Sequence, residues 1–314
     1  MKRLARSLLG RLVLILATSC AGQEALTPTA PSPQPSTGPS PQPQTFVSTE
    51  TATLVGAGDI AVCGFINTEL TARLLDSIPG TVFTAGDNAY QDANAQDFAQ
   101  CYEPTWGRHK ARTRPAPGDH DYRTPGAAAY FDYFGSQAGP SGLGYYSYQL
   151  GAWHVLALNS RAPTGPGSPE YEWLLSELRT NRSPCRLAYW HFPVFSSGFG
   201  GNISSMRAIW KMLVEFGTDV VVVGHAHNYE RFARLDGDGN PDSRRGIREF
   251  VVGTGGGSFT EQPAQVQPYS EIFKANVLGV IKFELAPSSY SWNFIPVKGL
   301  TFTDSGSDTC SPKS

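Results

Sequence analysis

The sequence predicts a mixed α/β (α+β) domain in which two mixed β-sheets pack face to face and helices flank them. Three observations carry this expectation. Asp219-Val-Val-Val-Val-Gly224 is an apolar run between turn-type residues, the pattern of a strand covered on both faces. Upstream of it, strand-like runs alternate with stretches of helical spacing. Downstream, residues 247–252, 277–285 and 290–297 alternate in the manner of antiparallel strands completing a second sheet.

Taken in order, residues 51–57 form a short apolar run that ends at Gly58-Asp59. Residues 67–78 have helical spacing, with Leu70, Leu74, Leu75 and Ile78 on one face and Asn67 or Thr68 as the cap. Gly80-Thr-Val-Phe-Thr-Ala85 is a second buried run, followed by Gly86-Asp87-Asn88-Ala89-Tyr90. Residues 97–109 suit one or two short helices, and Arg114-Pro-Ala-Pro117, a poor strand by propensity, leads into Gly118-Asp119-His120-Asp121. A hairpin around Gly151 is expected from residues 145–150 and 153–158. A helix over 169–179, a strand over 186–190 closing on His191-Phe192-Pro193, and a helix over 206–216 follow. Asp236-Gly-Asp-Gly-Asn-Pro-Asp242 reads as a hairpin turn, because the twelfth position of a calcium loop is Ile247 rather than glutamate. Gly253-Thr-Gly-Gly-Gly257 lacks the lysine of a P-loop and reads as a tight turn. His109 and His154 fall outside the polar motifs that end the buried runs, and His154, within a strand, reads as a core residue. There are no internal repeats.

The 314 residues allow ample core, and 40% hydrophobic with 17% charged residues is the balance of an ordinary globular protein. Residues 1–19 read as a secretory signal: Lys2, Arg3, Arg6 and Arg11, then Leu12-Val-Leu-Ile-Leu-Ala17, with no acid. The apolar core is too short to span a bilayer. Leu16-Ala-Thr-Ser-Cys20 is similar to a bacterial lipobox, so Cys20 is expected to be lipid-modified, and plain cleavage to a secreted or periplasmic product is the alternative. Removing the signal leaves 21 basic against 27 acidic residues, a balance that does not favour nucleic acid. Residues 20–50, rich in Pro, Ser and Thr, cannot bury a core and read as a semi-extended spacer before a catalytic domain over 51–314. Four further cysteines, Cys63, Cys101, Cys185 and Cys310, suggest two disulfides in an oxidising compartment, and Cys63–Cys101 with Cys185–Cys310 is the favoured pairing of three.

Five buried runs end in polar tips, at positions 59, 87, 119, 191 and 225. In open α/β sheets ligands bind beyond the carboxyl ends of strands, so these tips should converge. Asp59, Asp87, Tyr90, Asp119, His120, Asp121, His191, His225 and His227 then gather oxygen and imidazole donors suited to zinc, iron or manganese. They are too many for one tetrahedral ion. Two ions about 3.5–4 Å apart form the clamp that displaces groups at phosphorus.

Gly58-Asp59, Gly86-Asp87-Asn88-Ala89-Tyr90, Gly118-Asp119-His120-Asp121, His191-Phe-Pro193 and Gly224-His-Ala-His227 resemble the five motif blocks of calcineurin-like metallophosphoesterases, in order, across roughly residues 53–255. Within that superfamily the chain looks most like a bacterial purple acid phosphatase: Ala61 replaces the first-block histidine, and Tyr90 stands where an iron(III)-binding tyrosine is found. The resemblance implies the four-layer fold and a phosphatase acting on monoesters. It implies an iron(III) ion on Asp59, Asp87, Tyr90 and His227, and a divalent zinc, manganese or iron ion on Asp87, Asp119, His191 and His225. Attack by a metal-bound hydroxide would follow, with His120 protonating the leaving oxygen and Asp121 orienting it. The family's usual asparagine is here Asp119, whose added charge would bind metal more tightly and repel an anionic substrate. A phosphodiesterase of the same fold, or a surface protein that binds metal and phosphate with little turnover, is the alternative. The expected partner is a small-molecule phosphate ester; membrane contact is expected only through Cys20, and substrate choice from residues 140–144 and 196–201.

Overall fold

In a computed structural model of the chain, residues 50–259, 262–263 and 265–313 are described. The predicted signal, Cys20 and all of the spacer but Glu50 lie outside the described residues. The chain runs β1 (Ala52–Ala57), β2 (Ala61–Val62), α1 (Ile66–Asp76), β3 (Thr81–Ala85), β4 (Ala89–Tyr90) and α2 (Ala95–Asp97). After a π-turn and a 3₁₀ segment come β5 (Thr113–Ala116), α3 (Ala128–Phe134), the hairpin β6 (Tyr146–Leu150) and β7 (Trp153–Ala157), and α4 (Pro169–Thr180). Then follow β8 (Cys185–Tyr189), α5 (Arg207–Glu215), β9 (Val220–Val223), β10 (Tyr229–Leu235) and β11 (Ile247–Val252). The described chain closes with β12 (Ser270–Lys274), β13 (Gly279–Leu285), β14 (Ser289–Pro296) and β15 (Ser305–Thr309).

One sheet has the order β15-β14-β13-β1-β3-β5 and the other β12-β10-β11-β9-β8-β7-β6. Strands β1, β3 and β5 are parallel in the first, and β7, β8, β9 and β11 in the second. The sheets face each other across an apolar core to which Phe83, Phe250, Phe283, Tyr189 and Trp292 contribute. The Phe83 and Tyr189 rings meet across the seam at 5.4 Å, and Phe250 and Phe283 at 5.3 Å. Along the four-valine strand, Val220 and Val222 join this core while Val221 and Val223 join a second cluster with Leu174, Trp210 and Leu213 of α4 and α5. Both faces of β9 are therefore covered, as an unbroken apolar run requires.

Several expectations change. Strands β13 and β14 complete the first sheet rather than the second, because β13 pairs antiparallel with β1. β11 lies in the second sheet and pairs antiparallel with β10 as expected, but runs parallel to β9 on its other side. Helix α1 begins at Ile66 without a side-chain cap, and Thr68 turns inward to donate to the Ile60 carbonyl at 3.0 Å. Its buried face is Thr68, Thr71, Ala72 and Leu75, with Leu70 and Leu74 only partly covered. β5, despite Pro115, is a strand at the sheet edge, the position where a missing N–H is tolerated. The disulfides are Cys63–Cys101 and Cys185–Cys310, as favoured above, and they suit an extracytoplasmic compartment. Among the described residues no helix is long and apolar enough to cross a membrane. Asp236 accepts from the Asp238 and Asn240 amides, which makes its loop the expected hairpin turn. His154 is fully buried with Nε2 3.3 Å from Glu177, and His109 is buried 3.0 Å from Asp76.

One buried acid makes stability depend on pH. Glu170, in the first turn of α4, is 1% exposed, and burial pushes its carboxyl up to about 8 against the pull of the Asn159 amide it accepts at 2.8 Å. The native state therefore holds a proton that the unfolded chain releases between about pH 4.5 and 8. Across that window its contribution to stability falls with rising pH, by up to about 1.4 kcal/mol per pH unit. Glu170→Gln keeps the acceptor without the ionisation. The variant should match the wild type in denaturant midpoint at pH 4 and exceed it at pH 9; an equal midpoint at both would refute the assignment.

Candidate metal centre

The five tips converge at one end of the seam. The first sheet delivers Asp59 after β1, Asp87 after β3 and Asp119 after β5; the second delivers His191 after β8 and His225 after β9. Backbone bonds stitch the tips together: Asp59 N–H donates to the Gly86 carbonyl at 3.0 Å, Gly224 N–H to His191 at 3.0 Å, and Gly58 N–H crosses to Val252 at 2.9 Å. Asp59, Asp87 and His225 have φ of 60°, 50° and 67°. Left-handed backbone at non-glycine residues is strained, and it concentrates where a site must be held in shape. Glycine is required beside them. A Cβ at Gly118 would lie 2.2 Å from Asp87 Oδ1, and one at Gly86 would lie 2.5 Å from His191 Nδ1.

Two donor groups result. In the first, the Tyr90 hydroxyl lies 2.9 Å from Asp59 Oδ1, 2.9 Å from Asp87 Oδ2 and 3.2 Å from His227 Nε2, which is 3.1 Å from Asp59 Oδ1. In the second, Asp119 Oδ1 lies 3.0 Å from His191 Nε2 and 3.2 Å from His225 Nδ1. His191 Nε2 is also 3.4 Å from Asp87 Oδ1, so these two residues stand between the groups. Two imidazoles are aimed by their other nitrogen. His191 Nδ1 lies 2.9 Å from the Ala85 carbonyl and His227 Nδ1 lies 2.7 Å from that of Ser258, so both Nε2 atoms face inward. This is the outer-shell arrangement of metal-binding histidines. The set of three carboxylates, three imidazoles and one phenol is hard and of mixed O and N character, and it fits iron, zinc or manganese.

The electrostatics agree with a site built for cations. Burial raises Asp119, but the His191 and His225 imidazoles outweigh it and hold its carboxyl well below the usual range; against burial, His227 lowers Asp59. Burial, with the Asp59 and Asp87 charges, drives the Tyr90 phenol well above 10. Asp121 is raised to about 7 by burial and by Asp87.

Asp121 is placed differently from the expectation. Its carboxylate accepts from the Asn88 side chain at 2.9 Å and the Gly118 amide at 2.8 Å, fixing the second and third blocks to each other. The residue that orients His120 is Gln91, whose carbonyl lies 2.7 Å from His120 Nδ1, and His120 Nε2 then points to the cleft, 3.9 Å from Asp87 Oδ2. Gln91 and Ser258 carry no motif signal, because each acts through its backbone carbonyl. The cleft, about 730 Å³, is lined by Asp87, Asp119, His120, His225 and His227, with Arg123, Ser197 to Phe199 and Phe259 on its walls. Of the two loops expected to choose substrate, 196–201 contributes to this cleft, whereas Pro140 and Leu143 line a separate groove with Tyr145 and Trp173. Phe192 wedges its ring 4.8 Å from that of His225.

No family model matches the chain. It is 27% identical to purple acid phosphatase 15 of Arabidopsis thaliana over 220 residues, 57% of this chain and 41% of that protein. It is 27% identical to purple acid phosphatase 1 of Ipomoea batatas over 276 residues, 75% of this chain and 58% of that one. The chain thus spans about half the length of the curated relatives it matches. Among solved structures it is similar to a purple acid phosphatase from yellow lupin (Lupinus luteus) seeds, with a TM-score of 0.69 and 19% identity over 84% of this chain and 54% of that one. The fold is that of the yellow lupin purple acid phosphatase, and in sequence the chain is similar to purple acid phosphatases over more than half its length.

Proposed function

We propose that the chain is an exported metal-dependent phosphoric ester hydrolase that cleaves phosphate monoesters. The observation that carries the reading is the pair of adjoining donor groups, one around Tyr90 and one around Asp119, with Asp87 and His191 between them. Asp59, Asp87, Tyr90 and His227 would hold an iron(III) ion, and Asp87, Asp119, His191 and His225 a divalent zinc, manganese or iron ion. Ions so held supply Lewis-acid polarisation of the phosphoryl oxygens and water of lowered pKa. The chain's own residues do the rest. The tips would hold the cations that face the phosphoryl group, and His120 Nε2, aimed by Gln91, gives its proton to the leaving alcohol oxygen. Asp121 keeps the second and third blocks in register. Phe199 and Phe259, both more than half exposed, offer an apolar wall to the alcohol portion.

A second reading has one observation behind it. Asp119 puts a third carboxylate at the floor, and a site that binds its metals tightly but repels anions would be a low-turnover binder. One experiment decides. The full chain, purified from fractionated cells, is given a chromogenic aryl phosphomonoester and the matching diester, with and without a chelator, and its metal content is measured. We expect roughly two metal ions per chain, monoester hydrolysis that the chelator abolishes, and slower diester hydrolysis. A visible tyrosinate-to-iron band would accompany iron beside Tyr90, and recovery in the membrane fraction would accompany a lipid on Cys20. Metal without turnover would favour the binder, faster diester cleavage would favour a phosphodiesterase, and absence of both metal and turnover would end the reading.

A further inference from the structure

Every acidic residue at the floor of the cleft repels the phosphate that the reading above requires. Asp87 and Asp119 line the cleft and Asp59 lies directly behind them, fully buried. Among the described residues that line it, Arg123 is the only arginine, and there is no lysine. The permanently cationic side chain on the wall is therefore a single guanidinium.

We propose that Arg123 binds the phosphate group of the substrate and compensates the charge of Asp119; the inference rests on the phosphatase reading. Its root is fixed. Arg123 ends the one-turn segment Asp121–Arg123, its N–H donates to the His120 carbonyl at 3.0 Å, and the next residue, Thr124, donates to the Asp92 carbonyl at 2.9 Å. Its head is held lightly. Nη1 lies 3.6 Å from Asp92 Oδ1, a pair in which both side chains are substantially exposed and which therefore contributes little. Nη2 lies 3.1 Å from His120 Nε2.

The guanidinium and the His120 ring stand side by side on the cleft wall, so a phosphate oxygen seated beside them meets the Arg123 N–H donors next to the group that faces the leaving oxygen. The planar guanidinium suits this task because it presents a fork of N–H donors to a tetrahedral oxyanion. Arg123 would thus grip the non-bridging oxygens while His120 faces the ester oxygen.

The test uses inorganic phosphate and an aryl phosphomonoester on the metal-loaded full chain. Phosphate affinity is read by calorimetry, and KM and kcat by steady-state assay, for wild type, Arg123→Gln, Arg123→Lys, Asp119→Asn and the Arg123→Gln/Asp119→Asn double variant. Loss of a charge-assisted bond should weaken phosphate binding and raise KM by about 10- to 100-fold in Arg123→Gln, with a smaller change in kcat. Arg123→Lys should recover part of the loss. The same Arg123→Gln change should cost less once Asp119 is asparagine, because the two charges act on one ligand. Thermal midpoints within a degree or two of wild type would exclude misfolding, as expected for an exposed side chain. Wild-type phosphate affinity and KM in Arg123→Gln would overturn the assignment while leaving the phosphatase reading intact. A wild type that neither binds phosphate nor turns over the ester would overturn both.

Discussion

Replacing His120 with alanine is expected to lower kcat for an alkyl or unactivated aryl phosphate by about 10²- to 10⁴-fold, the range that a positioned acid contributes. Metal content should hold, because the Tyr90 and Asp119 groups are complete without His120. His120 hangs from the Gln91 carbonyl, and its Nε2 is 3.9 Å from Asp87, farther than any contact within either donor group. The leaving group supplies the sharper test. A phenol of low pKa departs as its anion and needs no proton, so the deficit should shrink toward unity along a series of increasingly acidic phenols. A deficit that stays constant across the series would show that His120 does not act as the acid. A deficit accompanied by lost metal would show that His120 is itself a ligand, a role its closeness to Asp87 and Asp119 permits.

The largest stability effect is expected at Cys185–Cys310, which joins residues 125 positions apart. Closing a loop of that length restrains the unfolded chain by about 5 kcal/mol on the chain-entropy account. The native contacts around it are real but few. Cys310 N–H donates to the Ser288 carbonyl at 2.9 Å, and the next residues reach Asp219, with Lys313 Nζ at 2.8 Å and the Ser311 amide also bonded to it. The bridge thereby fastens the end of β15, in one sheet, to the start of β8, in the other. The Cys185→Ala/Cys310→Ser variant should lose about 3–5 kcal/mol in urea unfolding, with turnover at low temperature preserved. A loss below about 1 kcal/mol would mean that Asp219 and the strand pairing already hold the tail without it.

What could be read from the residues, and what could not, divides along a physical line. The five tips were legible because each is a local pattern, a buried run stopped by a small residue and then a donor. Their convergence follows from strand direction alone. Sheet membership was not legible for β13 and β14, since Ala52 pairs with Leu285 and nothing in either segment records a partner so distant. β10 passed unnoticed as a strand because Tyr-Glu-Arg-Phe-Ala-Arg-Leu does not alternate cleanly. The structure explains its charges: Glu230 accepts from Ser197 and Ser270, and Arg231 pairs with Asp304. Thr68 looked like a helix cap but spends its hydroxyl on the Ile60 carbonyl, a choice set by tertiary packing. Asp121 sits next to His120 in sequence yet turns the other way, which only coordinates reveal.

The division of the tips between the sheets, three carboxylates from one and two imidazoles from the other, bears on more than chemistry. Cations lodged there would rivet the two halves of the sandwich at the end of β8 opposite the Cys185–Cys310 bridge. Every kilocalorie of their affinity would then resist separation of the sheets, amounting to about 4 kcal/mol when free metal stands a thousandfold above its dissociation constant. Starvation for metal would silence such a molecule and loosen it in the same stroke.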